Sequence, residues 1–194
     1  MIAIIKYNGG NVSSVQNALN RLNIGSIVTD DAEQILNADK VIFPGVGEAS
    51  STMKLLKEKG LDKLIPTLKQ PVLGICLGMQ LMCKGNEEGN TEGLGIFDIS
   101  VRRFPPLELV PHMGWNTLSE QKSSLFSGIM PENDVYFVHS YYCELSEFTT
   151  SVCDYILPFS ASLQKDNFYA VQFHPEKSGS VGSQILNNFI NLSS

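Results

Sequence analysis

The chain has 194 residues, a formal net charge of −6 and a pI near 5.0; 43% of it is apolar and 18% charged. That length supports one globular domain with a sizeable core. The acidic balance, with no cluster of Lys or Arg, argues against binding to nucleic acid or an anionic membrane surface.

From the N-terminus, short apolar runs alternate with helical patterns. The first run, Ile2-Ala3-Ile4-Ile5, is stopped by Lys6; it is too brief to span a bilayer and lacks the basic flank of a signal peptide. The pattern predicts strands at 2–5, 26–28, 41–43 and 71–75, each followed by a helix, at 12–22, 32–36, 49–61 and 78–83. Asn11 and Asp30 stand where helix N-caps are expected, and Gly25 and Gly60 where helices end. Such βα alternation implies a mostly parallel sheet flanked by helices. The second half is richer in strands, at 95–101, 135–139, 150–157, 159–163 and 168–173. A closing helix over 181–192 presents Val181, Ile185, Leu186, Phe189 and Ile190 as one apolar stripe. The expected fold is therefore a single α/β domain over residues 1–194, with a mostly parallel central sheet and additional antiparallel strands in the second half. No repeat, linker or low-complexity segment interrupts it.

The four cysteines, Cys76, Cys83, Cys143 and Cys153, lack the two-residue spacing of a zinc or redox motif, which points to a reducing cytoplasm and no bound metal. Only Cys76 has a chemical context. It sits in Gly74-Ile75-Cys76-Leu77-Gly78, between an apolar strand and a helix, the cysteine form of a nucleophile elbow. Flanking glycines are required because a Cβ there would crowd the turn, and the following helix N-terminus favours a thiolate. The other three cysteines read as small core residues.

A thiolate nucleophile needs a base, and the chain offers His112, His139 and His174. His174 ends a strand and is followed by Pro175 and Glu176, so imidazole and carboxylate are expected to project together from extended backbone. His139 also ends an apolar strand and competes for the role, but no carboxylate follows it; His112 reads as a turn or surface residue. Oxyanion donors are expected from Pro44-Gly45-Val46-Gly47, at the end of another strand, together with the N–H of Leu77.

In this order along the chain, Pro44-Gly45-Val46-Gly47, Gly74-Ile75-Cys76-Leu77-Gly78-Met79-Gln80 and His174-Pro175-Glu176 resemble the class I (triad) glutamine amidotransferases. Val110-Pro111-His112-Met113-Gly114-Trp115-Asn116, the stretch from Tyr136 to Tyr142, and Gln172 to Ser178 narrow the resemblance to the glutaminase subunits of imidazole glycerol phosphate synthase, across essentially the whole chain. The resemblance implies Cys76 as nucleophile, His174 as general base and acid, and Glu176 as its orienter. It implies an oxyanion site at Gly45, Val46, Gly47 and Leu77, and L-glutamine bound by Gln80, Glu88, Ser140 and Tyr141. It further implies no cofactor, and ammonia passed to a (β/α)8-barrel cyclase in a heterodimer whose contacts include Asn11, Trp115, Asn116, Tyr136 and Lys177. Glu87 and Glu88 also fit a solvated acidic edge. Rival readings are a glutaminase serving another acceptor, a γ-glutamyl peptidase on the same elbow, and a noncatalytic interaction subunit.

Overall fold

The computed structural model describes residues 1–7 and 12–192, so the expected contact residue Asn11 lies outside the described residues. In chain order the strands are β1 (Ile2–Ile5), β2 (Ser26–Thr29), β3 (Lys40–Phe43), β4 (Val72–Ile75), β5 (Cys83–Asn86), β6 (Thr91–Glu92), β7 (Phe97–Arg103), β8 (His112–Thr117), β9 (Asp134–His139), β10 (Tyr141–Cys143), β11 (Thr149–Asp154), β12 (Pro158–Lys165) and β13 (Phe168–Val171). The helices are α1 (Val12–Arg21), α2 (Ala32–Leu36), α3 (Ala49–Glu58), α4 (Leu61–Leu64), α5 (Leu77–Met82) and α6 (Gly179–Ile190).

The main sheet runs β2-β1-β3-β4-β13-β12-β10-β7-β5-β6, with β11 beside β12. From β2 to β13 every pairing is parallel. Beyond β13 the pairings turn antiparallel, apart from β5 with β7. The parallel strands are apolar on both faces because both are covered. Ala3, Ile5, Val41, Phe43 and Val72 pack into one cluster with Ile35, Met53, Leu56 and Met79. Ile2, Ile4, Ile42, Leu73 and Ile75 point the other way, onto Val15, Leu19, Ile185, Leu186 and Phe189. Each helix buries the stripe its periodicity allows: Val15, Ala18 and Leu19 in α1, Ala49, Thr52, Met53 and Leu56 in α3, and Gly182, Ile185, Leu186 and Phe189 in α6.

The differences from expectation are local. The cap of α2 is Asp31, whose carboxylate accepts from the Gln34 N–H, rather than Asp30. After α1 the left-handed residue is Asn23 (φ 58°), not Gly25. The expected helix over 49–61 is two, because Gly60 (φ 69°) ends the first and starts α4. The expectation for His112 is corrected: it is buried rather than at the surface, because β8, which also holds Trp115, pairs with β9 in a separate antiparallel ribbon. The alternation of that strand is hidden by Gly114 and by two polar residues, His112 and Asn116, that turn inward.

Candidate active site

Three neighbouring parallel strands deliver the chemistry at their carboxyl ends: β3 runs into 44–47, β4 into Cys76, and β13 through Gln172 and Phe173 to His174. This is where an open parallel sheet places its ligands. Cys76 stands at the N-cap of α5 with φ 53° and ψ −109°, a strained conformation for a residue with a Cβ. The glycines that make the turn possible are set by contact. A Cβ on Gly78 would lie 2.0 Å from the Phe43 carbonyl oxygen, and one on Gly74 would lie 2.8 Å from the Met82 sulfur. The thiol points toward the Val138 carbonyl at 3.9 Å and accepts from the Gln172 amide at 3.6 Å.

His174 is buried and its Nδ1 lies 2.8 Å from Glu176 Oε1, with both side chains 1% exposed. The expected pairing is present, but its cause differs. Only His174 is extended; Pro175–Lys177 is a 3-10 turn that folds the carboxylate back beneath the ring. The backbone is fixed from outside as well. The His174 N–H donates to the Tyr136 carbonyl, and the Ser178 hydroxyl donates to the His174 carbonyl while accepting the Tyr136 N–H. A Cβ on Gly182 would meet the Pro175 carbonyl oxygen at 1.9 Å, so α6 also braces the turn.

His174 Nε2 is buried and makes no hydrogen bond of ordinary geometry to any described residue. Burial opposes the imidazolium, yet the neighbouring Cys76 sulfur and the Glu176 carboxylate outweigh it and raise the His174 pKa from 6.5 to about 10.

A cavity of about 340 Å³ opens above the sulfur, a size suited to a small molecule. Cys76, Leu77, His174, Val46, Gly47, Gln80, Glu88, Ser140 and Tyr141 are among the residues that line it. Of the expected residues, Gly45 and Glu176 stand behind these walls. Gly45 is pressed against α5, where a Cβ would lie 2.4 Å from the Gly78 nitrogen. Val46 and Gly47 are exposed, and Gly47 (φ 112°) is in open space. Glu88 is half-buried, accepts from the Ala49 N–H at 2.9 Å, and has its pKa raised, mainly by burial. Gln80 is spent on the protein: its amide donates to the Tyr141 carbonyl and to Gln172 Oε1, and its oxygen accepts from Asn86.

Trp115, Asn116 and Tyr136 sit together on the β8–β9 ribbon, with Trp115 directly opposite Tyr136 and their ring centroids 5.7 Å apart. Trp115 is 56% exposed, and Met113, Leu107 and Leu109 are exposed too. Lys177 is exposed immediately beyond Glu176. His139, the competing base, lines the cavity, but both of its ring nitrogens are occupied, by His112 and by the Tyr141 carbonyl.

Two residues were missed as site residues. Gln172 joins Gln80 to the sulfur, and its position two before His174 on an apolar strand was the available clue. Tyr7, at the end of β1, donates to the Pro44 carbonyl; burial and then the Cys76 charge push its pKa up, against the Val46 N–H. Nothing in the sequence marks that contact. Cys83, Cys143 and Cys153 are buried free thiols. Among the described residues no cluster of three or more His, Cys, Asp or Glu could hold a metal, and no helix is long and apolar enough to cross a membrane.

The glutamine amidotransferase class-I family model matches residues 4–192. The chain is 61% identical to the imidazole glycerol phosphate synthase subunit HisH of Bacteroides fragilis (strain YCH46), covering 98% of this chain and 99% of the relative. It is 57% identical to the protein of that name from Bacteroides thetaiotaomicron over the same shares, and 42% identical to that of Buchnera aphidicola subsp. Acyrthosiphon pisum, again over 98% and 99%. Among solved structures, a glutamine amidotransferase from Thermotoga maritima shares the fold with a TM-score of 0.63, 17% identity, and coverage of 98% of this chain and 82% of that one.

Proposed function

The chain belongs to the class I glutamine amidotransferases, and from that membership we propose that it is the glutaminase subunit of an imidazole glycerol phosphate synthase. It would hydrolyse L-glutamine at Cys76 and deliver ammonia to a (β/α)8-barrel cyclase in a heterodimer of the cytoplasm. The observation that carries this reading is the full-length 61% identity to a subunit of that name, in a chain where Cys76 and His174 line one cavity and Glu176 holds the imidazole.

The reaction follows from the groups present. The Cys76 thiolate attacks the side-chain carbonyl carbon of glutamine and forms a C–S bond, placing the negative charge on the carbonyl oxygen. The oxyanion is to be met by the Leu77 N–H and by an N–H of the 45–47 segment. Collapse expels ammonia as His174 transfers its proton to the leaving nitrogen, leaving a glutamyl thioester. His174, now neutral, takes a proton from water as the water attacks the thioester carbon. Glutamate leaves and the thiolate–imidazolium pair returns. Glu176 holds the ring by its Nδ1–H throughout.

Ammonia released into neutral water is mostly protonated and no longer nucleophilic, so an enclosed path to the acceptor is required. An unpartnered glutaminase would also waste glutamine. The 45–47 segment fits a gate: Gly45 is wedged against α5, Gly47 has room to turn, and the Val46 N–H faces Tyr7. Docking at Trp115, Asn116, Tyr136 and Lys177 is the trigger in this reading, with the single tryptophan as anchor.

The test is glutamate release measured with and without a cyclase partner carrying its nucleotide. Strong stimulation is expected, and full activity of the isolated chain would refute the gating. Replacing Cys76→Ala should abolish synthesis from glutamine while synthesis from ammonium salts continues.

A further inference from the structure

Two buried histidines take no part in that reaction. His112 and His139 face each other across the β8–β9 ribbon, with His112 Nδ1 3.1 Å from His139 Nε2. His139 Nδ1 is 2.7 Å from the Tyr141 carbonyl oxygen, and His112 Nε2 is 3.5 Å from Asn116 Nδ2. The direction of every bond is fixed by the one atom that cannot donate. A carbonyl oxygen only accepts, so His139 carries its proton on Nδ1 and its Nε2 is bare. His112 must then donate from Nδ1, which leaves its Nε2 to accept from Asn116.

The surroundings hold both rings neutral and in place. His112 stacks on Tyr155 at 4.0 Å and on Phe137 at 4.8 Å, and His139 packs against Phe104 and Phe159. Burial lowers the pKa of His112 to about 4. For His139 burial, with His112 and His174 nearby, outweighs the Tyr141 carbonyl and lowers it to about 3. A second proton on His139 would set two N–H groups against each other at 3.1 Å. This series of bonds ends on the peptide that forms one wall of the cavity, where the Tyr141 carbonyl also accepts from Gln80 at 2.9 Å.

We propose that His112 and His139 are positioning residues for glutamine: a hydrogen-bond chain running from Asn116 through both rings to the Tyr141 carbonyl holds the Ser140-Tyr141 wall in its binding position. This rests on the glutaminase reading of the cavity. It places the control of substrate affinity on the buried face of the ribbon that also carries Trp115.

The kinetic test uses the complex with the nucleotide-bearing cyclase. His112→Phe keeps the ring stacking and removes both polar contacts. It is expected to raise KM for glutamine by roughly tenfold, the equivalent of one modest hydrogen bond, while kcat changes by less than about twofold. His112→Asn, which can still donate near the Nδ1 position, should recover most of the loss. An unchanged KM in a folded His112→Phe complex, or a fall in kcat at constant KM, overturns the proposal. A second measurement needs no activity: nitrogen-15 NMR of the wild-type chain should show both imidazoles as Nδ1–H tautomers at neutral pH, and an Nε2–H tautomer at either position overturns it. A wild-type complex that releases no glutamate, with both tautomers as stated, would instead count against the glutaminase reading.

Discussion

Replacing Glu176→Gln removes the charge beneath His174 while leaving the shape of the turn. The bond it weakens is 2.8 Å long between two side chains that are each 1% exposed, so solvent does little to soften the loss. A hydrogen bond to a charged group is worth ~1.5–3 kcal/mol, and this burial places it near the upper end. At about 1.4 kcal/mol per factor of ten, roughly 3 kcal/mol is a fall of about 100-fold in kcat/KM and a drop of about two pH units in the His174 pKa. The sign follows from which form is needed. In the proposed mechanism His174 must be charged to protonate the leaving nitrogen, so the alkaline limb of the kcat/KM profile should move to lower pH. Stability moves with it. Because the folded pKa is raised from 6.5 to about 10, the stabilisation from the charged ring is complete below pH 6.5 and is lost as the pH rises through about 10. In the variant that loss should still begin near pH 6.5 but be smaller and complete at a lower pH. The assay is a pH series of glutamate release by the nucleotide-bearing complex, with thermal melts at each pH. A folded variant with kcat/KM within about threefold of wild type and an unmoved alkaline limb would refute the reasoning.

Other outcomes follow from the same contacts. Gly78→Ala should destabilise the chain by roughly 3 kcal/mol or more, because its Cβ would fall 2.0 Å from the Phe43 carbonyl oxygen; a denaturant midpoint within error of wild type would contradict this. Trp115→Ala should leave stability within ~0.5 kcal/mol, since the ring is 56% exposed. It should weaken cyclase binding by ~2 kcal/mol or more, about 30-fold in Kd, as titration calorimetry would show. For His112 and His139 the sign is opposite to that of His174. Their folded pKa values are lowered to about 4 and about 3, so their contribution is present above pH 6.5 and is lost as the pH falls toward those values. His112→Phe should therefore flatten the acid side of the stability curve, measured by denaturant melts from pH 7 to pH 4.

The parallel half of the fold was legible because its strands are buried on both faces and its helices keep a 3.6-residue stripe, so Ile2 to Ile5 and Val15, Ala18 and Leu19 declare themselves without tertiary information. The elbow was legible for a similar reason: glycines at 74 and 78 around a cysteine record a packing constraint that the Phe43 carbonyl and the Met82 sulfur make concrete. The β8–β9 ribbon was not. Its buried face uses His112 and Asn116, which resemble surface residues until the partner of each is known, and those partners, His139 and Asp154, are 27 and 38 positions away. The Tyr7 contact with Pro44 hides equally well, since it joins the ends of two adjacent strands with no local pattern between them. Gln80 shows a subtler gap. Its place beside the pocket was expected, but its role was visible only once both ends of its amide were found engaged by Tyr141, Gln172 and Asn86.

The central claim is that the sulfur of Cys76 carries the glutamyl group. Acid-quenching the nucleotide-bearing complex during turnover with glutamine, then analysing its peptides by mass spectrometry, reads this directly. One glutamyl group is expected in thioester linkage on the peptide containing Cys76. Steady glutamate release by a Cys76→Ala complex, or a glutamyl group trapped on any other side chain, would contradict it.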